Sequence, residues 1–470
     1  MNWALALPEI VLALCGMAIL LLGVLRRGDT TALCGWAVLA AFVLAAVLVA
    51  TGADGHAYHD MFIVDAFARF AKLLILTGAA LACLLAMDWN RREGIARFEF
   101  PVLALFATVG MMLMVSASSF MSLYLGLELQ SLSLYVMAAF ARDDVRSSEA
   151  GLKYFVLGAL ASGLLLYGIS LVYGFSGGLD FAGVAQAVAS PEFASPGFIV
   201  GVMFVVVGLA FKISAVPFHM WAPDVYQGAP TPVTAFFGTA PKVAAMALLL
   251  RVLGVPFVHV PWIPVVMLMS IGSMLLGSFG AIAQTNIKRL MAYSSIGHVG
   301  YALIGLAAGT VDGVRGVLIY LVTYVFMNIG SFAVIAAMRR RGRAVENIVD
   351  LAGLGRTDPG LALALAVFMF SMAGIPPLAG FFGKLYVFLA AVQRGQWTLA
   401  VIGVLTSVIG AVYYLRVIKV MYFDAPGEPF EARATATSVL VFGCALFTAL
   451  FFLFPSAIVA SADAAARSLF

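Results

Sequence analysis

The chain has 470 residues, of which 63% are hydrophobic and only 11% charged. A mean hydropathy of +1.05 excludes a soluble domain and describes a polytopic membrane protein. The formal net charge of +4 points to no nucleic-acid partner, because in membrane proteins positive charge reports topology. Cys15, Cys34, Cys83 and Cys444 each stand alone in an apolar stretch, without Cys-x-x-Cys spacing. They read as small buried hydrophobes, not as a disulfide frame, a zinc site or an iron–sulfur site.

Taken in chain order, apolar runs of roughly 20 residues predict about fourteen spans. They cover residues 4–25, 31–51, 65–87, 100–117, 120–140, 152–173, 197–218, 232–253, 262–283, 290–309, 315–338, 361–392, 398–422 and 437–460. The fold class is therefore an all-α polytopic membrane protein. The start, Met1-Asn2-Trp3, lacks the basic region of a signal peptide, so the first run is read as a retained helix. The longest loop, about 174–196, is rich in Gly, Ala and Ser and has room for a short amphipathic turn. Alternate loops hold Arg26-Arg27, Arg91-Arg92 with Arg97, Arg142 with Arg146, Lys288-Arg289, Arg339 to Arg343 with Arg356, and Arg433. The other loops hold only Arg315 and Arg394. This asymmetry predicts that both termini face the periplasm, and it makes the basic run 339–343 a topology anchor.

Two spans are interrupted. The seventh ends Phe211-Lys212-Ile213-Ser214-Ala215-Val216-Pro217-Phe218-His219, and the twelfth carries Ser371-Met372-Ala373-Gly374-Ile375-Pro376-Pro377 in its middle. Proline removes a backbone donor and frees carbonyls, which a membrane tolerates only where the backbone is buried in protein or faces water. The two breaks lie five spans apart, so blocks of five helices point in opposite directions. Broken helices at equivalent places in inverted halves are a transporter pattern. The expected division is 1–99, an N-terminal three-helix segment; 100–254, a first five-helix repeat; 255–425, a second, inverted repeat; and 426–470, a C-terminal helix.

Ionisable groups inside such runs carry an insertion cost of at least about 2.5–3.5 kcal/mol each, so they mark function. Glu128, near the middle of the fifth span, calls for a cationic partner, and Lys212 is the candidate; a purely structural ion pair is the alternative. Lys242, which follows Pro241 deep in the eighth span, can exchange a proton near neutral pH once desolvated; the alternative is a lysine that snorkels to the interface. Lys384 lies just beyond the Pro-Pro break and could instead plug the gap there. Lys153, early in the sixth span beside Arg146 and Glu149, is equally well read as a snorkelling cation. His298 is central in its span and titrates in the physiological range, although nearby serines could satisfy it structurally. His219 and Asp224 belong to a cytoplasmic mouth, and Arg69 and Lys72 face the outer end of the third span. A file of titratable groups suits proton or cation movement. There is no dinucleotide fingerprint, Walker loop, cysteine cluster or haem-type histidine pair, so the energy must come from an ion gradient or from partner subunits.

Several stretches are specific. Leu125-Gly126-Leu127-Glu128-Leu129-Gln130-Ser131, Glu149-Ala150-Gly151-Leu152-Lys153-Tyr154-Phe155, Phe211 through Pro230, Ala292-Tyr293-Ser294-Ser295-Ile296-Gly297-His298 and Ala373 through Lys384 together resemble the subunit N family of antiporter-like membrane subunits of bacterial NADH:quinone oxidoreductase (respiratory complex I). The related subunit M has a glutamate where Lys384 stands, and subunit L has a long C-terminal lateral helix for which this chain is too short. The resemblance implies fourteen helices with two inverted five-helix repeats. It implies a Glu128–Lys212 coupling pair, Lys242 as central proton carrier, Lys384 as the link outward, and Lys153 and His298 on the same polar axis. It implies no cofactor in this chain, with FMN, iron–sulfur clusters, NADH and quinone held by partner subunits of the membrane arm and the peripheral redox arm. It places the chain in the bacterial inner membrane. The alternatives are a subunit of a multisubunit Na+/H+ antiporter, a structural or assembly protein, and a stand-alone solute transporter.

Overall fold

The computed structural model describes residues 3–26, 28–189 and 195–470. Arg27, counted in the first basic loop, and residues 190–194 of the long loop lie outside the described residues, as do Met1 and Asn2. In chain order the helices are α1 (Leu7–Leu25), α2 (Thr31–Thr51), α3 (Ala66–Arg92), α4 (Glu99–Val115), α5 (Phe120–Ala138), α6 (Val145–Ser176), α7 (Phe181–Val188), α8 (Pro196–Ile213), α9 (Trp221–Gly228) and α10 (Thr231–Phe237). They continue as α11 (Ala240–Gly254), α12 (Ile263–Ile282), α13 (Ile287–Ala308), α14 (Val311–Ala337), α15 (Leu354–Thr357), α16 (Pro359–Ala373), α17 (Ala379–Gln393), α18 (Trp397–Phe423), α19 (Thr435–Leu450) and α20 (Ser456–Arg467). Two short antiparallel hairpins qualify the all-α reading: β1 (Gly55–Ala57) with β2 (Phe62–Val64), and β3 (Arg339–Arg340) with β4 (Arg343–Ala344).

Among the described residues, 11 helices are long and apolar enough to cross a membrane, and α4, α16 and α17 are shorter apolar helices. Each predicted run coincides with a helix or a pair of half-helices. The eighth holds a break that the sequence reading missed: α10 and α11 are separated at Gly238–Thr239, where the Asn328 amide donates to the Gly238 carbonyl at 2.7 Å. The last predicted span, 437–460, overruns: α19 ends at Leu450, and beyond Pro455 the chain turns into the amphipathic α20, whose buried face is Ala462, Ala465 and Ala466. Side chains cap the helix starts where the chain leaves the apolar region. Asp65 accepts from the Ala68 amide, Asn286 from Arg289 and Asp358 from Leu361.

Helices α10–α11, α13 and α14 form the centre of the bundle and are almost wholly buried, whereas α1, α2, α18 and α19 present apolar side chains outward. Two helix pairs cross backbone to backbone at glycine. A Cβ on Gly110 of α4 would lie 2.5 Å from the Gln130 amide nitrogen of α5, and one on Gly277 of α12 would lie 2.5 Å from that of Gly297 in α13. These are the first two helices of each expected five-helix block, and the helix breaks that follow α8 and α16 are likewise matched. Small residues of this kind allow the close approach that membrane helices use in place of a hydrophobic driving force.

The two ends of the bundle are tied by charge. At one end the arginine-rich loops meet: Arg339 pairs with Glu93, Arg340 with Asp350, Arg341 with Glu428 and Arg433 with Asp358. The basic run is a clamp that holds the β3–β4 hairpin to the end of α3 and to the loop before α19. At the other end the buried guanidinium of Arg251, in the last turn of α11, makes two 2.9 Å bonds to Asp65, the cap of α3. Arg315 joins Asp463 of α20 at 3.1 Å. Asp65→Ala leaves the Arg251 charge buried and unpaired, which costs about 3–5 kcal/mol; we expect a marked fall in the thermal stability and yield of the membrane-extracted protein. Gly110→Ala forces α4 from α5 and should cost about 1–3 kcal/mol by the same measurement.

Candidate functional site

The membrane-depth cations lie where helices break. Lys212 occupies the last turn of α8, and the next residues leave the helix through Ser214 at φ 56°, ψ 41°. The helix ends there because the following Ala215-Val216-Pro217 cannot continue it. The chain resumes in α9, α10 and α11, which returns Lys242 to the same break midway along the 24-residue run Thr231–Gly254. Its Nζ lies 2.7 Å from Ser214 Oγ and 3.4 Å from the Ile213 carbonyl. Lys384, on α17, meets the other break: its Nζ donates to the Met372 and Ala373 carbonyls at the end of α16, at 2.9 and 3.1 Å, and to Ser407 Oγ of α18 at 2.7 Å. In both places a cation faces the carbonyl end of a half-helix, where the helix dipole is negative and the oxygens have no partner in the ladder.

Lys212 itself turns to α5, donating to Ser131 Oγ at 2.7 Å and to the Tyr135 hydroxyl at 3.5 Å. All three lysines are buried, at 6%, 3% and 6% exposure for Lys212, Lys242 and Lys384. Each also lies near an aromatic face: Tyr135 at 5.7 Å, Tyr226 at 5.7 Å and Tyr301 at 4.6 Å from the ring centroid. Such a face offers a desolvated ammonium its quadrupole without neutralising it.

His298 sits between these centres on α13. Its Nδ1 is 2.5 Å from the Tyr320 hydroxyl and its Nε2 is 3.1 Å from that of Tyr414. The Tyr414 hydroxyl is also 2.5 Å from Ser294 Oγ. A cavity of about 10 Å³, the size of a single water, is lined by Lys242, Met246, His298, Val299, Ala302, Tyr320, Leu321 and Tyr324. It joins the central lysine to the histidine.

Lys153 and Glu128 lie elsewhere. Lys153 is 41% exposed at the arginine-rich end and makes 2.7 Å ion pairs to both Glu149 and Asp224. Asp224 in turn takes Arg289 of α13 at 2.5 Å, so one carboxylate bridges α6, α9 and α13. Burial alone would raise the Asp224 carboxyl, but the bonds from Lys153 and Arg289 outweigh it and hold the group below the usual carboxylate range. Glu149, Lys153 and Asp224 line a polar cleft of about 200 Å³ with Arg146, Gln227 and Gly228, beside a larger one of about 700 Å³. Asp224 thus opens onto a polar cleft, and Lys153 lies there with it rather than in the buried file. The expected Glu128–Lys212 ion pair is not made: among the described residues Glu128 has no ion-pair partner within 4.0 Å, and its Oε1 has no hydrogen-bond partner. Lys212 is instead taken by the buried Ser131, which lies one turn along α5 from Glu128.

The sequence reading missed Ser131, Ser214, Ser407, Tyr320, Tyr414, Asn328 and Arg289. Hydroxyl residues within apolar runs are a signal for the first five, but serine and tyrosine are common enough in membrane helices that the signal selects nothing until partners are known. It also missed the buried pairs Glu9–Lys72, at 2.6 Å, and Lys288–Glu346, at 2.9 Å. Among the described residues no group of three or more His, Cys, Asp or Glu could hold a metal ion.

Residues 117–410 match the family described as NADH:quinone oxidoreductase/Mrp antiporter, TM. The chain is 66% identical over 476 residues to the NADH-quinone oxidoreductase subunit N of Granulibacter bethesdensis, with 100% of each chain covered. It is similar to a chain of the respiratory complex I from Thermus thermophilus with bound aureothin, with a TM-score of 0.82, 33% identity, and 97% of this chain and 99% of that one covered. A chain of the Mrp complex from Dietzia sp. has the same fold, with a TM-score of 0.87 at 22% identity, and 100% of this chain and 98% of that one covered. The helix breaks at Ser214 and Gly374, the lysines gathered at them and this full-length similarity lead to one conclusion: the chain belongs to the NADH:quinone oxidoreductase/Mrp antiporter membrane-subunit family, in its subunit N branch.

Proposed function

We propose that this chain is a proton-translocating membrane-arm subunit of a bacterial NADH:quinone oxidoreductase, residing in the inner membrane with the other membrane-arm subunits and the peripheral redox arm as partners. It takes part in an H+-translocating enzyme without carrying redox chemistry itself; NADH, FMN, iron–sulfur clusters and quinone belong to the partners. The observation that carries the reading is the set of three buried lysines, each held by neutral oxygens, two of them at breaks in the helical frame.

In this reading protons enter from the arginine-rich end near Lys153 and Asp224 and reach Lys242. They pass His298 across the small cavity and leave through Lys384 toward the next subunit or the outer face. Glu128 and Lys212 form the coupling element. Lys212 is not locked to a carboxylate, so its charge can respond to a signal arriving along the arm, and a change at Lys212 acts on Lys242 across the shared break by like-charge repulsion. Both termini face the periplasm, in accord with the arginine distribution. The functional division is 1–99, 100–254, 255–425 and 426–470, with the middle two blocks related by inversion; the paired glycine crossings and paired breaks support it.

The family description also covers Mrp antiporters, and that alternative predicts sodium–proton exchange without NADH. The discriminating measurement is NADH-driven acidification of inverted native membrane vesicles, with assembly checked on a native gel. Lys212→Ala and Lys242→Met should each leave the complex assembled and lower pumping by about tenfold or more, the scale of losing a positioned proton-transfer group. Undiminished pumping in Lys242→Met sinks the assigned role, and sodium–proton exchange in the absence of NADH favours the antiporter. Lys153→Met removes only two solvent-accessible ion pairs; we expect pumping to stay within about twofold of the parent in the same assay, and a collapse would move Lys153 into the essential path.

A further inference from the structure

Five lysines are buried among the described residues, and they fall into two chemical classes. Lys72 and Lys288 each meet a carboxylate, Glu9 and Glu346. Lys212, Lys242 and Lys384 each meet a serine hydroxyl instead, at 2.7 Å in all three cases, from a different segment of the chain. The likeness extends one bond further. Ser131 Oγ donates to the Leu127 carbonyl at 2.6 Å, Ser214 Oγ to the Ile213 carbonyl at 2.6 Å, and Ser407 Oγ to the Ala373 carbonyl at 3.3 Å. The same relay, ammonium to hydroxyl to backbone carbonyl, is built three times, on α5, on α18 and in the break after α8.

A carboxylate only accepts hydrogen bonds and carries a negative charge, so it fixes a buried lysine in its charged form. A hydroxyl both donates and accepts. While the lysine is charged, an N–H of the ammonium is given to the serine oxygen, and the serine hydrogen is given to the carbonyl. When the lysine gives its proton to the next acceptor on the axis, one N–H bond breaks and one bond to hydrogen forms at that acceptor. The serine hydrogen can then rotate onto the amine lone pair, with every heavy atom in place. Both protonation states are satisfied, and neither leaves an unpaired buried nitrogen.

We propose that Ser131, Ser214 and Ser407 are functional partners of the three axis lysines, switching hydrogen-bond direction so that each lysine can cycle between charged and neutral forms. This rests on the proton-translocating reading given above. The serines are therefore compared with Lys242→Met in the same vesicle assay on the assembled complex.

The variants suit their sites. Alanine favours the helices that hold Ser131 and Ser407, and glycine suits the left-handed backbone of Ser214. Ser131→Ala, Ser214→Gly and Ser407→Ala each remove a hydrogen bond to a charged group and should lower NADH-driven pumping by about tenfold. Ser131→Thr and Ser407→Thr keep the hydroxyl and should pump near the parent level. Ser407→Asp gives Lys384 the carboxylate partner that Lys72 and Lys288 have, and should also lose pumping, whereas a packing role would survive with the lysine still paired. Parent-level pumping in the hydroxyl-free variants, with Lys242→Met inactive, overturns the serine proposal alone. Equal losses in the Thr and Ala variants overturn it as well. Parent-level pumping in Lys242→Met overturns the reading on which it rests.

Discussion

A lysine held at the middle of a membrane must find oxygen within the protein, because no bulk water or headgroup is within reach of its side chain. The broken helices supply it. Where α8 stops at Ile213 and α16 stops at Ala373, carbonyls that a continuous helix would consume are left open, and Lys242 and Lys384 point their ammonium groups at them. The prolines that follow, Pro217 and Pro376-Pro377, keep the chain from resuming its helix and so keep those oxygens free. Without the breaks Lys242 and Lys384 would lose the carbonyls that they face. Without the lysines the breaks would expose unsatisfied backbone to an apolar interior.

The charges divide by depth and by partner. Toward the ends of the bundle, cations meet carboxylates: Arg339 with Glu93, Arg251 with Asp65, Lys288 with Glu346, and Asp224 between Lys153 and Arg289. Removal of one partner is costly where the cation is buried, as at Arg251, Lys288 and Arg339, so those pairs serve as fixed ties. In the middle, cations and the imidazole meet hydroxyls, carbonyls and ring faces. The helix that carries Lys242 illustrates the division, because its last turn is tied to a carboxylate through Arg251 while its first turn holds a lysine met by a hydroxyl. A rigid frame with a titratable centre suits a device in which protons move while helices stay packed.

Close backbone crossings keep that frame tight. Gly110 against Gln130, and Gly277 against Gly297, bring α4 to α5 and α12 to α13 with no room for a side chain between them. The buried core of α10–α11, α13 and α14 then holds Lys242 and His298 on either side of a space large enough for about one water.

Much of this was legible in the chain. The apolar runs gave the spans because the bilayer fixes their length, and Pro217 and Pro376-Pro377 gave two breaks because proline cannot continue a helix. Lys212, Lys242, Lys384 and His298 stood out because ionisable groups are rare at such depth. The family resemblance, carried by stretches such as Val225 to Pro230 and Pro376 to Lys384, agrees with the full-length similarity found. What the sequence could not give is who touches whom. Glu128 and Lys212 are the natural partners by charge, yet folding sets Ser131 inward and gives Lys212 a hydroxyl. The break at Gly238–Thr239 is held open by Asn328, some ninety residues away in the chain. Composition and proline placement decide where helices run and where they fail, because those are local effects of solvent and backbone. Only the tertiary structure decides whether a buried lysine meets a carboxylate that fixes its charge or a hydroxyl that lets it change, because that choice is made by helices far apart in sequence.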